Sequence, residues 1–196
     1  MLDLSYTVYP DLGDTWGART NTRTLNAAGQ RLAFIARPPK LGSIRDVIFR
    51  LGSVTTPDPI LVSLQGVDPA TGFPNGLTDQ SGTVPEAECV EGWVTATMSA
   101  DRVVADLTEP LAVVIELSPY VDGNINVYGN QGLLVGSAYC ATYDGAAWTK
   151  QNTSPAVFFR YSDGSYGKSL DLPHGSHGVA AMHSGHLTNE RGAVFQ

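Results

Sequence analysis

Residues 44–76 read IRDVIFRLGSVTTPDPILVSLQGVDPATGFPNG, two apolar runs joined by a Pro-rich turn and followed by a segment dense in turn formers. In the first run Val47, Phe49 and Leu51 fall on one side of an extended chain, with Ile48 and Arg50 on the other. In the second, Ile60, Val62 and Leu64 oppose Leu61, Ser63 and Gln65. Alternation with period two in β-branched and aromatic residues predicts half-buried strands, one face on a core and one toward water.

The same period recurs on both sides of this stretch. Upstream, Leu32, Phe34 and Ala36 alternate with Ala33, Ile35 and Arg37 until Pro38-Pro39 stops the run, because proline cannot donate to a ladder. Residues 68–91 then read as a long acidic loop punctuated by Gly72, Pro74, Gly76, Gly82 and Pro85. Downstream, Val94, Ala96 and Met98 alternate with Trp93, Thr95 and Thr97, which points Trp93 outward. Val103 to Leu107 reads as a separate strand, and Leu111, Val113, Ile115 and Leu117 give the clearest alternation in the chain. Ile125 to Tyr128 and Leu133 to Tyr143 follow, the latter ending at Asp144-Gly145, a hairpin-turn dipeptide. Val157, Phe159 and Tyr161 form the last alternating run.

Many short strands, no helical period and one long connection predict an all-β protein, a jelly-roll-like β-sandwich over residues 22–162. Residues 1–21 read as an N-terminal arm or an edge strand. Residues 163–196 read as a Gly/Ser/His-rich extended tail or linker, closing on GAVFQ, which has the look of another strand beginning.

Composition narrows the function classes. The net charge of −7 and the absence of Lys/Arg runs argue against nucleic acid, since phosphate neutralisation needs clustered cations. No apolar run approaches the about 18 residues expected of a membrane-spanning helix, so membrane insertion is not expected. MLDLSYTVYP carries Asp3 where a signal peptide would be cationic and has no apolar h-region, so export by the usual route is not expected. Cys89 and Cys140 are too few for a disulfide framework; two buried free thiols are expected, with a single bridge as the alternative.

The order of short motifs carries a resemblance. VIFRLG and VDPATGFPNG are followed by GWVTATMS, LTEPLAVVIEL, NVYGN, YDGAAWTK and AVFFRY. This series is similar to the jelly-roll modules of bacteriophage tail fibres and other virion proteins, which also occur as accessory domains of secreted bacterial proteins. The family's Asp-x-x-Thr-Gly-x-Pro-x-Gly turn is matched by Asp68, Thr71, Gly72, Pro74 and Gly76, and its Asp-Gly-x-x-Trp turn by Asp144, Gly145 and Trp148. The resemblance covers residues 22–162 and rests on turn and core features. It implies a non-enzymatic virion structural protein, in a tail fibre or appendage or as a capsid or tail decoration. Such a protein would be assembled in the host cytoplasm, homotrimeric, in contact with other virion proteins, and able to attach to host-surface glycans. The alternatives are a carbohydrate-binding module recognising cell-surface glycans and an accessory domain of a larger secreted enzyme.

Candidate ligand residues are aromatic, because ring faces suit the apolar faces of sugars. Trp93, Trp148 and Tyr128 lead, with Trp16, Tyr120 and Tyr143 also available; core or subunit packing is the competing reading for each. All four histidines, His174, His177, His183 and His186, fall in one segment spaced H-x2-H-x5-H-x2-H. Imidazoles so spaced could bind Zn, Ni or Fe. Pro173, Gly175, Gly178 and Gly185 make a rigid site there hard to build, and a solvated tail without cofactor is the default. Asp68, Asp79, Glu86, Glu88 and Glu91 could gather oxygens for Ca2+, but no Asp-x-Asp-x-Asp ladder is present. No phosphate-binding loop, H-E-x-x-H or nucleophile elbow occurs, so catalysis is not expected.

Overall fold

Among the residues that a computed structural model describes, 20–131, 138–151, 153–154 and 157–168, there are thirteen strands, all paired antiparallel. The first eight are β1 (Thr20–Leu25), β2 (Arg31–Ala36), β3 (Gly42–Thr56), β4 (Ile60–Val67), β5 (Pro74–Val84), β6 (Gly92–Val104), β7 (Leu111–Leu117) and β8 (Asn124–Gln131). Their pairing is nested: β1 with β8, β2 with β7, β3 with β6, and β4 with β5. Folding this long double ribbon brings β8 against β3 and β7 against β4. The result is one curled sheet whose two four-stranded halves, β1-β8-β3-β6 and β2-β7-β4-β5, follow the jelly-roll order and are joined where β6 pairs with β5.

The core lies between the sheets and is built from the faces the alternation picked out. Val47, Phe49 and Leu51 of β3 face Ile60, Val62 and Leu64 of β4 across an interior that also holds Phe34, Ile115, Ile125 and Val127. Burying a side chain of this size contributes about 1.5–3 kcal/mol, so this interior is the main source of stability.

The remaining strands dress the edges. β9 (Tyr139–Tyr143) pairs with the free edge of β2, and the Asp144-Gly145 turn returns the chain as β10 (Trp148–Gln151). β11 (Thr153–Ser154) crosses to the other sheet and pairs with β8. β12 (Val157–Tyr161) lies along β3, taking over from β8 the edge that β8 leaves beyond Leu51, and hairpins into β13 (Tyr166–Lys168). The sheet therefore continues into the stretch expected as tail. Residues 1–19 of the expected arm, residues 132–137 and the histidine segment lie outside the described residues.

Two expectations need correction, and a third falls partly outside the described residues. The predicted acidic loop over residues 68–91 holds an eleven-residue strand, β5, and a short 3-10 turn at Glu86–Glu88. Most of β5 is exposed, so its sequence shows no alternation; pairing with β4 makes it a strand. Val103 to Leu107 is not a separate strand, because β6 runs without a break to Val104. The strand expected from Leu133 is described only from Tyr139.

β6 spans its length by changing partners. Its register against β3 slips between Ile44 and Asp46, and at the slip Thr97 and Met98 pair with Thr83 and Gly82 of β5. This short ladder ties the two sheets together along one side. It demands a residue without a side chain, since a Cβ on Gly82 would lie 2.3 Å from the Thr97 carbonyl oxygen. Gly82→Ala should therefore force the two strands apart and cost about 1–3 kcal/mol, as overpacking does. Urea denaturation followed by tryptophan fluorescence measures it; an unchanged midpoint would show that the crossing is slack.

Candidate functional site

Two outward-facing surfaces carry the aromatic candidates, one on each sheet. On the β2-β7-β4 sheet, antiparallel register aligns Trp148, Tyr143, Arg31, Glu116 and Leu61 across five strands. The next register row is Lys150, Ala141, Ala33, Val114 and Ser63. Alanines at Ala33, Ala112 and Ala141, with Ile35 and Val114, leave a shallow trough, and Phe73, Tyr139, Trp148 and Val67 pack into it.

Phe73 reaches the trough because its turn is locally locked. Asp68 accepts hydrogen bonds from the Ala70 amide (2.9 Å) and the Thr71 hydroxyl (3.1 Å), and the Gly72 amide donates to the Asp68 carbonyl (2.7 Å). The Tyr139 hydroxyl donates to the Gly72 carbonyl and clamps the turn to the sheet. Asp144 plays the same part at the second turn, accepting from the amides of Ala146 and Ala147, which hold its carboxyl below the usual range. The two aspartate-anchored turns thus set Phe73 and Trp148 side by side.

The product is a half-buried aromatic row. Phe73 and Trp148 lie nearly parallel with centroids 6.5 Å apart, and Tyr143 tilts against Trp148 at 5.2 Å. Arg31 lies over Tyr143 while donating to Glu116 (2.6 Å), and Lys150 lies 4.0 Å over Tyr139. Rings edged by polar side chains can bind a flat, hydroxylated ligand by stacking and rim hydrogen bonds.

The other sheet brings Trp93 and Tyr128 to a shared outer face, as the outward reading of Trp93 requires. Trp93 packs edge-on to Phe158 at 5.1 Å, beside Ile48 and Tyr166. Arg50 stands directly across from Trp93 in the ladder and lies over the Tyr128 ring at 5.2 Å. Further along this face Asp46, fully buried, accepts from Thr97 Oγ1 and Arg160 Nε, both at 2.6 Å. That ion pair is fully engaged and reads as structural.

The leading aromatics therefore do not form one site: Trp93 and Tyr128 share one sheet face, and Trp148 lies on the other sheet. Tyr120 packs against the core and donates to the Asn26 carbonyl, while Trp16 lies outside the described residues. Phe73, Arg31 and Arg50 were missed in the sequence, since only cross-strand register places them beside the aromatics. The four histidines proposed as metal ligands lie outside the described residues, and among the described residues no three His, Cys, Asp or Glu side chains gather to hold a metal. The acidic residues suggested for Ca2+ are dispersed: Asp68 is used within its turn, and Asp79 pairs with Arg102 at 3.1 Å. A cleft of about 370 Å³ at one end of the sandwich, lined by Pro38, Val67, Pro69, Pro110 and Leu111, holds none of the predicted ligand residues.

No protein-family model, no curated protein and no solved structure matches this chain. Its function has to be argued from its own surfaces.

Both cysteines are free and buried, as expected. Burial pushes the Cys89 thiol up to about 11 and Cys140 up to about 12 from an ordinary 9.0, and lifts Tyr161 from 10.0 to about 12. Each stays protonated in the fold while the unfolded chain loses its proton sooner. Their stabilisation is complete below pH 9.0 and is lost as pH rises toward 11–12. The urea midpoint should fall steadily above pH 9, and Ellman's reagent should find no reactive thiol at pH 8 until denaturant is added. Rapid labelling of the native protein would mean that the thiols are reached without unfolding.

Proposed function

We propose that the protein is a structural and adhesive component of a bacteriophage virion, in a tail fibre or appendage or as a capsid or tail decoration, and that it works as a homotrimer without catalysis. The observation that carries this reading is the complete nested jelly roll, whose two tight turns are the places where the virion-module motifs fall. The extra strands support it too, because they cover sheet edges that would otherwise invite uncontrolled pairing. The proposed role is mechanical, with faces and termini packing on neighbours and loop ends facing outward.

Multi-angle light scattering on the full chain tests this. The expected mass is three times 20.8 kDa, stable on dilution. A strict monomer at the highest soluble concentration would sink the symmetric-assembly role.

A second reading, glycan attachment, is favoured by the Phe73–Trp148–Tyr143 row. Neutral sugars suit it, because Arg31 is already matched by Glu116. Neutral oligosaccharides should shift tryptophan fluorescence, and Trp148→Ala should weaken binding about tenfold or more, a stacked ring contributing about 1–2 kcal/mol. Trp93→Ala should leave this binding intact. Equal losses in both variants would remove the row from consideration.

A further inference from the structure

The cleft at one end of the sandwich is walled by stiff backbone. Three connections meet there, β2–β3, β4–β5 and β6–β7, and each sets a proline in the lining: Pro38, Pro69 and Pro110. A proline ring fixes its own φ, so the wall takes its shape before anything binds. Val67, Val104 and Leu111 complete an apolar interior of about 370 Å³. Openings at the mouths of rolled sheets are common ligand sites. Val103 in the lining is 61% exposed. Two more exposed leucines lie close by in the chain: Leu107 follows the lining residue Asp106, and Leu41 precedes Gly42, the ladder partner of Val104. They extend apolar surface beyond the opening, as at contact sites for other proteins.

The charges at this cleft do not balance. Arg102 lines it and is matched by Asp79 at 3.1 Å. Asp106 and Glu109 line it too, and neither enters an ion pair among the described residues. Asp106 Oδ1 accepts hydrogen bonds from the Thr108 amide (2.7 Å) and hydroxyl (2.8 Å). These bonds, with the nearby charge of Arg37, hold the carboxyl below the usual range and keep it ionised. Arg37 is exposed and forms no ion pair among the described residues. Two arginines, Arg37 and Arg102, thus stand against three carboxylates, Asp79, Asp106 and Glu109, and the cleft is one cation short.

One positive charge on an apolar stem is what a lysine or arginine carries; such side chains lay their methylenes on apolar surface and keep the head among polar groups. We propose that this cleft is an anchor pocket for a lysine or arginine side chain of a partner protein. The stem lies against the prolines and Leu111, the cationic head meets Glu109 and Asp106, and the flanking residues of the partner rest on Val103 and Leu107. A free alkylamine would satisfy the charge and leave that apolar rim uncovered, which favours a protein segment. The chain's net charge of −7 draws a basic partner from a distance. The contact requires no particular oligomeric state, so the light-scattering result does not decide it.

An NMR titration of the full chain, followed at backbone amides, tests this with acetylated and amidated Leu-X-Leu peptides in which X is lysine, arginine, norleucine or citrulline. The lysine or the arginine peptide should give saturable shifts at Gly66, Val104, Ala105 and Leu111, and the neutral norleucine and citrulline peptides should be silent at equal concentration. Glu109→Gln should weaken binding about two- to fivefold, the range for an exposed ion pair. Arg37→Gln, which removes a neighbouring cation, should strengthen it, a change of sign that a loss of structure does not produce. Both side chains are exposed, and an unchanged thermal midpoint verifies the fold of each variant. Five results would overturn the proposal. Neither cationic peptide shifts the cleft; the neutral peptides shift it equally; Glu86, Glu88 and Glu91 at the opposite end shift as much, marking a general attraction to acidic surface; Glu109→Gln binds as the parent does; or n-butylamine binds as tightly as the peptides, making a small free cation the ligand.

Discussion

Four nested antiparallel ladders are the constraint on which the rest of this structure depends. A buried backbone must satisfy its amides and carbonyls, and in a two-sheet fold that requires a partner on both edges of each inner strand. Here the second half of the roll supplies those partners to the first half in reverse order, β8 to β1 and β5 to β4. β3 is long enough to serve β6 along one edge and β8 and then β12 along the other. Where a ladder would end, another begins, and β5 meets β6 at Gly82 because nothing larger fits.

That economy has a consequence for the faces. With the interior filled by one side of each strand, the other sides are free to be polar, yet on the β2-β7 sheet they are not. Ala33, Ile35, Ala112 and Val114 point outward and are buried all the same, under Phe73, Tyr139 and Trp148. Strands covered on both faces read as continuous apolar runs, which is why RLAFIA and LAVVIEL hold so few polar residues. The 67–76 turn therefore does more than reverse the chain: it lays an aromatic cover over the sheet it has just left.

How much of this was legible depended on whether a segment is half-buried. β3, β4 and β6 each turn one alternating set of residues into the main core, so period two marked which residues look inward, down to the outward aim of Trp93. β5 has almost no core face; PNGLTDQSGTV offers only Pro74, Gly82 and Val84 to the interior, and its state comes from a ladder no local pattern encodes. The turns were legible for the opposite reason, because Asp68 and Asp144 act on amides a few residues away. The grouping of the candidate aromatics was not legible. That Trp93 and Tyr128 belong together while Trp148 belongs with Phe73 follows from register, and register is a property of strand pairs.

The two outer faces differ in what they leave unfinished, and the difference bears on what each can bind. On the Trp148 face each polar group at the row is answered: Arg31 by Glu116, the Tyr139 hydroxyl by a carbonyl, and Lys150 by a ring. A ligand there gains by stacking and must displace water without help from an unmet charge. On the Trp93 face Arg50 lies over the Tyr128 ring, and its Nε, shielded from solvent, has no partner among the described residues. The Trp148 face therefore offers an aromatic row whose polar rim is already paired, while on the Trp93 face the rings are engaged with one another and with Arg50, Trp93 edge-on to Phe158 and Tyr128 under the guanidinium.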